Sequence, residues 1–251
     1  MKNFGDIMKN RKQLPCFGYL ENRAVDIQNL IAYLDEQGML DWNRYTDIKY
    51  SAKSRHQSFV VANEFCKDNF FKEQDAPVME GELYRQLYLT DFDTSKTSDK
   101  VELHNTNIFE RTKRLDPADP RYLAEADELN YGVRNELVKG PLAAILDSFE
   151  SKVTRVRLAY LSKNFEILAH VDYDPTYVVR YHIPIITNPA VKMFMQRGDQ
   201  VVEQHLPADG KIYFFNSGLK HWVRNDSNHG RLHLIVDVRG QAELDHLVDL
   251  N

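Results

Sequence analysis

The sequence predicts a mainly β fold, a barrel or jelly roll over residues 151–251, flanked by a mainly helical region over residues 1–150. Two observations support this division. Before residue 150, apolar residues recur at helical spacing; after it, they alternate with polar residues at a period of two. Turn residues divide the second part into several short runs, and short strands at close spacing favour a barrel or a jelly roll.

The N-terminal region carries three apolar stripes that are expected to form helices covering one outer face of the barrel. The first begins after Asp26, a favourable N-cap residue, and ends at Gly38. The second is expected between Pro120 and Gly140, and the third after Pro141. The stripes consist of Ile27, Leu30, Ile31 and Leu34; of Tyr122, Ala126, Leu129, Val133 and Leu137; and of Leu142, Ile145, Leu146 and Phe149.

Alternation predicts the strands of the second part. The clearest runs are 155–160, 177–185 and 231–238. Pro184 is expected at a strand end or on an edge strand, because proline has no N–H to donate to the sheet. Residues 91–117 are polar, and we expect a long connection there, a candidate lid over a site.

The composition narrows the class of protein. With 251 residues, 43% of them hydrophobic, the chain can bury a substantial core, and a net charge of −5 gives no reason to expect nucleic acid or an anionic membrane as a partner. No apolar stretch approaches the roughly 20 residues that span a bilayer, and the start does not resemble a signal peptide. Cys16 and Cys66 are too few to suggest a disulfide framework, so a cytoplasmic protein is expected.

Two polar residues at the end of an apolar run indicate a metal site. His170 and Asp172 follow residues 167–169 and, two apart on a strand, would point the same way. A buried carboxylate is costly unless a cation neutralises it. His221 is the best third ligand, since it follows the strand-like run 212–215 and a polar turn. Two histidines and one carboxylate form the facial triad of non-haem Fe(II) oxygenases, with positions open for a cosubstrate and dioxygen.

Three further residues indicate the cosubstrate. Arg231 lies 10 residues after His221, and Arg180 and His182 share one face of the central strand. An arginine that points into a barrel requires an anion, and its planar guanidinium matches a carboxylate in two parallel hydrogen bonds. 2-Oxoglutarate has one carboxylate to chelate iron with its keto oxygen and a second that requires such a cation. Each histidine alone would more often be structural, so the combination carries this prediction.

Four other strand residues have two interpretations each. His233 could touch the cosubstrate or pack in the core. Asp237 could face the interior with Arg231 or cap the strand. Arg155 and Arg157 could recognise a substrate carboxylate or lie at the surface.

The region from Arg155 to Gly240 resembles the aspartyl/asparaginyl β-hydroxylase family, and within it the bacterial proline hydroxylases. The segments that carry the resemblance are ILAHVDYD (167–174), VRYHIPI (179–185), GKIYFFNSGLKHWVRN (210–225) and RLHLIVDVRG (231–240). Residues 1–150 resemble no family that we can name.

The resemblance implies a double-stranded β-helix, a distorted jelly roll. It implies that His170, Asp172 and His221 bind iron, that Arg231 pairs with the distal carboxylate of 2-oxoglutarate, and that Arg180 and His182 lie beside the cosubstrate. Animal members lack the carboxylate ligand, whereas this sequence keeps Asp172 as the proline hydroxylases do. Because related halogenases also lack it, Asp172 favours hydroxylation.

The function expected from the sequence is a dioxygenase that uses Fe(II), 2-oxoglutarate and dioxygen, with ascorbate as a candidate stimulant, to hydroxylate a free amino acid or a small amino-acid derivative. The small-molecule substrate is the expected partner, and the oligomeric state is left open. Three alternatives stay open: a hydroxylase of an Asp, Asn or Pro residue in a peptide or protein, a non-catalytic jelly-roll binding protein, and a cupin-type metalloenzyme that does not use 2-oxoglutarate.

Overall fold

The computed structural model describes residues 8–47, 84–93, 95 and 128–250. Within these ranges the fold is a double-stranded β-helix, in which a large antiparallel sheet faces a small one. The strands are β1 (Phe17–Ala24), β2 (Thr46–Asp47), β3 (Tyr84–Tyr88), β4 (Thr90–Asp91), β5 (Val133–Arg134), β6 (Lys152–Leu161), β7 (Phe165–His170), β8 (Val179–Ile186), β9 (Val191–Arg197), β10 (Gln200–Gln204), β11 (Lys211–Phe215), β12 (Lys220–Asn225), β13 (Arg231–Arg239) and β14 (Leu247–Asp249).

The two sheets follow a jelly-roll order. The large sheet has eight strands in the order β14-β1-β11-β8-β13-β6-β3-β2, and the small sheet has four in the order β10-β9-β12-β7; β4 and β5 form a separate pair. All pairings are antiparallel, and β13 lies between β6 and β8, with Val236 opposite both Val156 and Tyr181. The predicted strand runs are confirmed by β6, β8 and β13.

Alternation along the strands separates two apolar clusters. In β13, Leu232 and Leu234 belong to the cluster outside the large sheet, whereas Ile235 points between the sheets. The inner cluster also takes Met193 from β9 and Val223 from β12. The polar residues of the same inward face, discussed below, therefore lie inside the barrel, where each charge must find a partner.

Two helices cover the outer face of the large sheet, as the apolar stripes predicted. These are α1 (Ile27–Glu36) and α2 (Gly140–Asp147), with short 3-10 helices at Trp42–Arg44, Glu128–Tyr131 and Ala242–His246. The Asp26 side chain accepts a hydrogen bond from Asn29 N, which caps α1 as predicted. Gly38, with a φ of 64°, follows the end of this helix. No helix in the described ranges is both long and apolar enough to cross a membrane.

The N-terminal region differs from the prediction in two ways. Its described part contains strands as well as the predicted helices, because β1 and β3 pair into the large sheet with β11 and β6. The single helix expected between Pro120 and Gly140 is also wrong from residue 128 onward, where a 3-10 helix and β5 replace it. Val133 of the predicted stripe is exposed, whereas Tyr131, outside that stripe, is buried and contacts Phe92, with ring centroids 5.0 Å apart.

Pro184 lies inside β8, an internal strand, and not at an edge as expected. Opposite it, the pairing of β13 shifts register between Leu232 and His233. A local irregularity accommodates a residue that cannot donate a ladder hydrogen bond. Most of the predicted connection 91–117, together with Tyr122, Ala126 and Cys66, lies outside the described residues.

Candidate metal centre and cosubstrate pocket

The three predicted ligands meet at one end of the barrel. His170 ends β7 and lies opposite His221 of β12 in the sheet register. The nearest ligand atoms of His170, Asp172 and His221 all lie within 4.8 Å of one another. The Nε2 atoms of His170 and His221 are 3.9 Å and 4.0 Å from the two carboxylate oxygens of Asp172. Two imidazole nitrogens and one carboxylate oxygen are the donor set that suits a non-haem Fe(II) site.

Backbone carbonyls orient both imidazole rings. Nδ1 of His170 lies 2.7 Å from the carbonyl oxygen of Leu168, and Nδ1 of His221 lies 2.8 Å from that of Leu219. A carbonyl can only accept, so each Nδ1 carries a proton, and Nε2 is the atom that each ring leaves for a metal. Burial and the nearby His170 lower the pKa of His221 to about 3, so its ring is neutral near pH 7. The His221 ring therefore presents the form that binds a metal.

Asp172 is held ionised by a neighbouring arginine. Burial by itself would raise its pKa, but Arg180 and the two histidines outweigh that effect and hold the pKa below its usual range. Nη1 of Arg180 donates to Oδ2 of Asp172. The backbone N–H of Asp172 donates to the Ser217 carbonyl at 2.9 Å. The carboxylate is thus fixed in charge and in position.

Arg180 and Asp237 belong to a buried chain of alternating charges. Nε and Nη2 of Arg180 donate to the two oxygens of Asp237 at 2.7 Å and 3.1 Å, and Nη1 of Arg157 donates to the same carboxylate at 2.9 Å. Of the two interpretations of Asp237, the one that places it in the interior is correct. Its partners, however, are Arg180 and Arg157 and not Arg231. The expected place of Arg180 beside the cosubstrate stays a prediction, and its present partners are two carboxylates.

Arg231 differs from Arg180 in its charge environment. It is 2% exposed, its Nε has no hydrogen-bond partner, and it forms no ion pair with any described residue. Burial lowers its pKa to about 10, against an opposing effect from Tyr84, so it remains a cation at neutral pH. A buried cation without a counter-ion is costly. An anion that binds beside Arg231 inside the barrel would therefore neutralise a charge that is costly to bury.

A pair of neutral histidines accompanies this cation. The Nδ1 atoms of His182 and His233 lie 3.3 Å apart, and both Nε2 atoms are buried with no hydrogen-bond partner in the described part of the chain. Burial and the charge of Arg231 hold the pKa of both rings well below the usual value. In a neutral pair, one Nδ1 donates to the other, which leaves one Nε2 as a donor and the other as an acceptor. These are two unused polar groups beside Arg231.

The sequence left one member of the site unnoticed. Glu128, in the 3-10 helix before β5, is buried and lies 3.5 Å from Arg155. Its segment looks helical in sequence, so its position gave no signal. Arg155 and Arg157 are both buried inside the barrel rather than at the surface.

Comparison with known proteins supports the family that the motifs indicated. Residues 133–240 match the family model for aspartyl/asparaginyl beta-hydroxylase. Over this region the chain is similar to the aspartyl/asparaginyl β-hydroxylase family. The matched range begins at β5 and ends after β13, and so contains the ligand triad and Arg231. The similarity supports an oxygenase or hydroxylase as the class of enzyme.

Several solved structures are similar to this chain, with low sequence identity and low TM-scores. A 2OG-Fe(II) oxygenase family protein from Burkholderia pseudomallei is 15% identical, with a TM-score of 0.37, over 66% of this chain and 73% of that chain. A cupin domain from Bordetella pertussis is 15% identical, with a TM-score of 0.29, over 37% and 88%. A non-heme monooxygenase in a nickel complex is 15% identical, with a TM-score of 0.31, over 51% and 62%. The search of curated proteins gives no match. These structures are too distant to inform the chemistry.

Proposed function

We propose that the protein is an Fe(II)- and 2-oxoglutarate-dependent dioxygenase that hydroxylates an unactivated C–H bond of a free amino acid or a small amino-acid derivative, with release of succinate and carbon dioxide. One observation carries the proposal: a His/Asp/His cluster lies in the same barrel as a buried Arg231 that forms no ion pair with any residue that the structure describes. The first feature fits a metal with open positions, and the second fits the far carboxylate of a dicarboxylic cosubstrate.

In this proposal His170, Asp172 and His221 hold Fe(II), which supplies the oxidative chemistry with dioxygen when it is bound. The protein supplies position and charge. The carbonyls of Leu168 and Leu219 keep both Nε2 atoms directed at the metal position. Asp172, ionised by Arg180, provides the negative ligand, and its presence favours hydroxylation over halogenation by resemblance to the family.

Arg231 is proposed to bind the distal carboxylate of 2-oxoglutarate in a two-bond contact. His182 and His233 offer one donor and one acceptor beside it. Apolar residues surround these groups: the Phe215 ring lies 5.0 Å from that of His182. A dry environment strengthens the ionic contact and keeps water from competing for the arginine.

The second candidate function is hydroxylation of an Asp, Asn or Pro residue within a peptide or protein. The observation that favours it is the family match, whose name describes aspartyl and asparaginyl residues. A cupin-type enzyme that binds metal without 2-oxoglutarate would leave Arg231 without a role. A non-catalytic binding protein would have no need of three metal-ready ligands.

The test is succinate formation from 2-oxoglutarate by the purified protein with Fe(II), ascorbate and air. The compounds to compare are free L-amino acids and short peptides. Binding of metal and cosubstrate is measured separately, from the Fe(II)–2-oxoglutarate absorption band without oxygen. Arg231→Met should abolish the band, whereas Arg224→Met should keep it, because Arg224 forms an exposed pair with Asp226.

Stimulation of succinate formation by a free amino acid would support the proposal. Stimulation by peptides alone would favour the second candidate. Absence of both the band and succinate would reject the 2-oxoglutarate-dependent mechanism and leave the cupin-type or non-catalytic alternatives.

A further inference from the structure

A second charged pair lies further along the barrel wall from Arg231. Arg155 is on β6, two residues before Arg157 and on the same inward face, and Glu128 belongs to the 3-10 helix Glu128–Tyr131. Their nearest atoms, Nε of Arg155 and Oε2 of Glu128, are 3.5 Å apart. Their side chains are only 14% and 4% exposed. Such groups are rarely buried unless they are fully paired.

This pair is incompletely satisfied. Among the residues that the structure describes, Oε2 of Glu128 and both Nε and Nη2 of Arg155 are buried and find no hydrogen-bond partner. A closed guanidinium–carboxylate pair has nitrogen–oxygen distances of about 2.7–2.9 Å and often two such bonds. Burial raises the pKa of Glu128, and the charges of Arg155 and Arg157 oppose that effect. The two groups face each other, and each keeps polar atoms that make no hydrogen bond to a described residue.

Contacts lead from both groups towards the candidate metal centre. Arg155 lies two residues before Arg157, and the charge chain from Arg157 through Asp237 and Arg180 ends on Asp172. On the other side, the backbone N–H of Glu128 donates to the Tyr177 hydroxyl, and the Tyr177 ring contacts that of Tyr173, the residue after Asp172. These contacts connect the Arg155–Glu128 pair to the carboxylate ligand.

Aromatic rings hold the pair in place. The Arg155 guanidinium lies over the Tyr131 ring, 4.8 Å from its centroid. The backbone N–H of Glu128 donates to the Tyr177 hydroxyl at 3.1 Å, and the Tyr177 ring contacts that of Tyr173. The pair is therefore positioned from both sides while the three polar atoms remain unused.

We propose that Arg155 binds the α-carboxylate and Glu128 the α-ammonium group of a free amino acid that is the substrate of the neighbouring metal site. The inference rests on the proposed function and adds the two residues that would bind the charged groups of its substrate. A zwitterion supplies one anion and one cation, which match the unused atoms of Arg155 and of Glu128. A residue inside a peptide carries neither charge, so its backbone could satisfy neither group at full strength.

The test measures equilibrium binding by calorimetry to protein loaded with Ni(II) in place of Fe(II) and with 2-oxoglutarate, so that no turnover occurs. The ligands are the free L-amino acids, the amide of each, and the 2-hydroxy acid of each. The amide removes the anionic charge and the hydroxy acid removes the cationic charge with little change in shape. At least one amino acid should bind, and its amide and its 2-hydroxy acid should each bind with a dissociation constant about tenfold higher or more.

Two variants assign each charge to its residue. Glu128→Gln should reduce the preference for the amino acid over the hydroxy acid and leave the preference over the amide. Arg155→Met should do the reverse. The control Arg224→Met removes an exposed arginine and should keep both preferences. A simple structural role would weaken all ligands equally and would not separate the two preferences.

The inference is wrong if the amide and the hydroxy acid bind the unaltered protein as well as the amino acid does. It is also wrong if only peptides bind, or if no amino acid binds. These comparisons on the unaltered protein remain decisive if a variant fails to fold. The Fe(II)–2-oxoglutarate band distinguishes failure of this inference from failure of the proposed function. If the band is present but the amide and the hydroxy acid bind as well as the amino acid, only this inference fails. With the band absent, the proposed function fails and this inference fails with it.

Discussion

Replacing Arg231 by methionine should stabilise the protein when no metal or cosubstrate is present. The guanidinium is 2% exposed and has no ionic partner among the described residues. Its pKa falls from the ordinary arginine value to about 10 because of burial. At about 1.4 kcal/mol for each pKa unit, keeping the charge inside the folded barrel costs about 3 kcal/mol. Arginine is charged in both the folded and the unfolded chain at neutral pH, so the whole cost acts there.

Methionine has a similar length and no charge, and burying it is favourable. The free energy of unfolding of Arg231→Met should therefore rise by up to about 3 kcal/mol, less whatever the packing loses. The assay is urea unfolding in a buffer free of carboxylates and phosphate, with a chelator present. The same experiment is then repeated with 2-oxoglutarate, which should stabilise the original protein and have no effect on the variant.

The reasoning would be refuted if Arg231→Met lost stability in the metal-free buffer and 2-oxoglutarate still stabilised it. That result would mean that the arginine is satisfied within the fold and that the cosubstrate binds elsewhere. Arg224→Met provides the matched comparison, because it also removes an arginine, but from an exposed pair with Asp226. It should change the free energy of unfolding by less than about 1 kcal/mol.

Three further outcomes follow from the same geometry. Asp172→Ala should lose coupled turnover, measured as succinate and hydroxylated product together, and full turnover without added carboxylate would contradict the ligand assignment. Asp237→Asn should lower the free energy of unfolding by about 3–5 kcal/mol, because Arg180 and Arg157 lose their buried counter-charge; a loss below about 1 kcal/mol would mean that water replaces it. His233 is neutral in the fold, with a pKa well below the usual value, while in the unfolded chain it takes up a proton as the pH falls below about 6.5. Its contribution to stability is therefore present above that pH and lost as the pH falls towards the folded pKa. His233→Gln should reduce the slope of unfolding free energy against pH by up to about 1.4 kcal/mol for each pH unit, and an unchanged slope would show that His233 is protonated in the fold.

Local pattern was sufficient for the elements whose environment is decided by their own residues. The alternation along β6, β8 and β13 marks one face as apolar and the other as polar, which any strand between two layers must show. Asp26 and Gly38 mark the ends of α1 because caps act over one turn. The segment 128–137 misled because its apolar residues fit a helix, yet Val133 is exposed and the buried apolar residue there is Tyr131, which contacts Phe92, a neighbour that periodicity cannot identify.

The ligand set could be predicted from the sequence for a related reason. His170 and Asp172 are two apart on a strand, so their common direction is local, and His221 follows a strand that had to lie nearby in a small barrel. The position of Arg231, 10 residues after His221, then predicted a site for an anion. What those residues do in catalysis remains a prediction, since their chemistry depends on groups that the chain binds.

The sequence by itself determined the class of fold, the positions of strands β6, β8 and β13, and the residues able to bind a metal and a carboxylate. Only the tertiary structure decided the pairing of charges: Arg180 with Asp172 and Asp237, Arg155 with Glu128, and Arg231 with no described residue. The physical reason is that a side chain's direction follows from its own strand, whereas its partner is set by the register of other strands, often many residues away. Which arginine is left for an outside anion is therefore a property of the folded barrel.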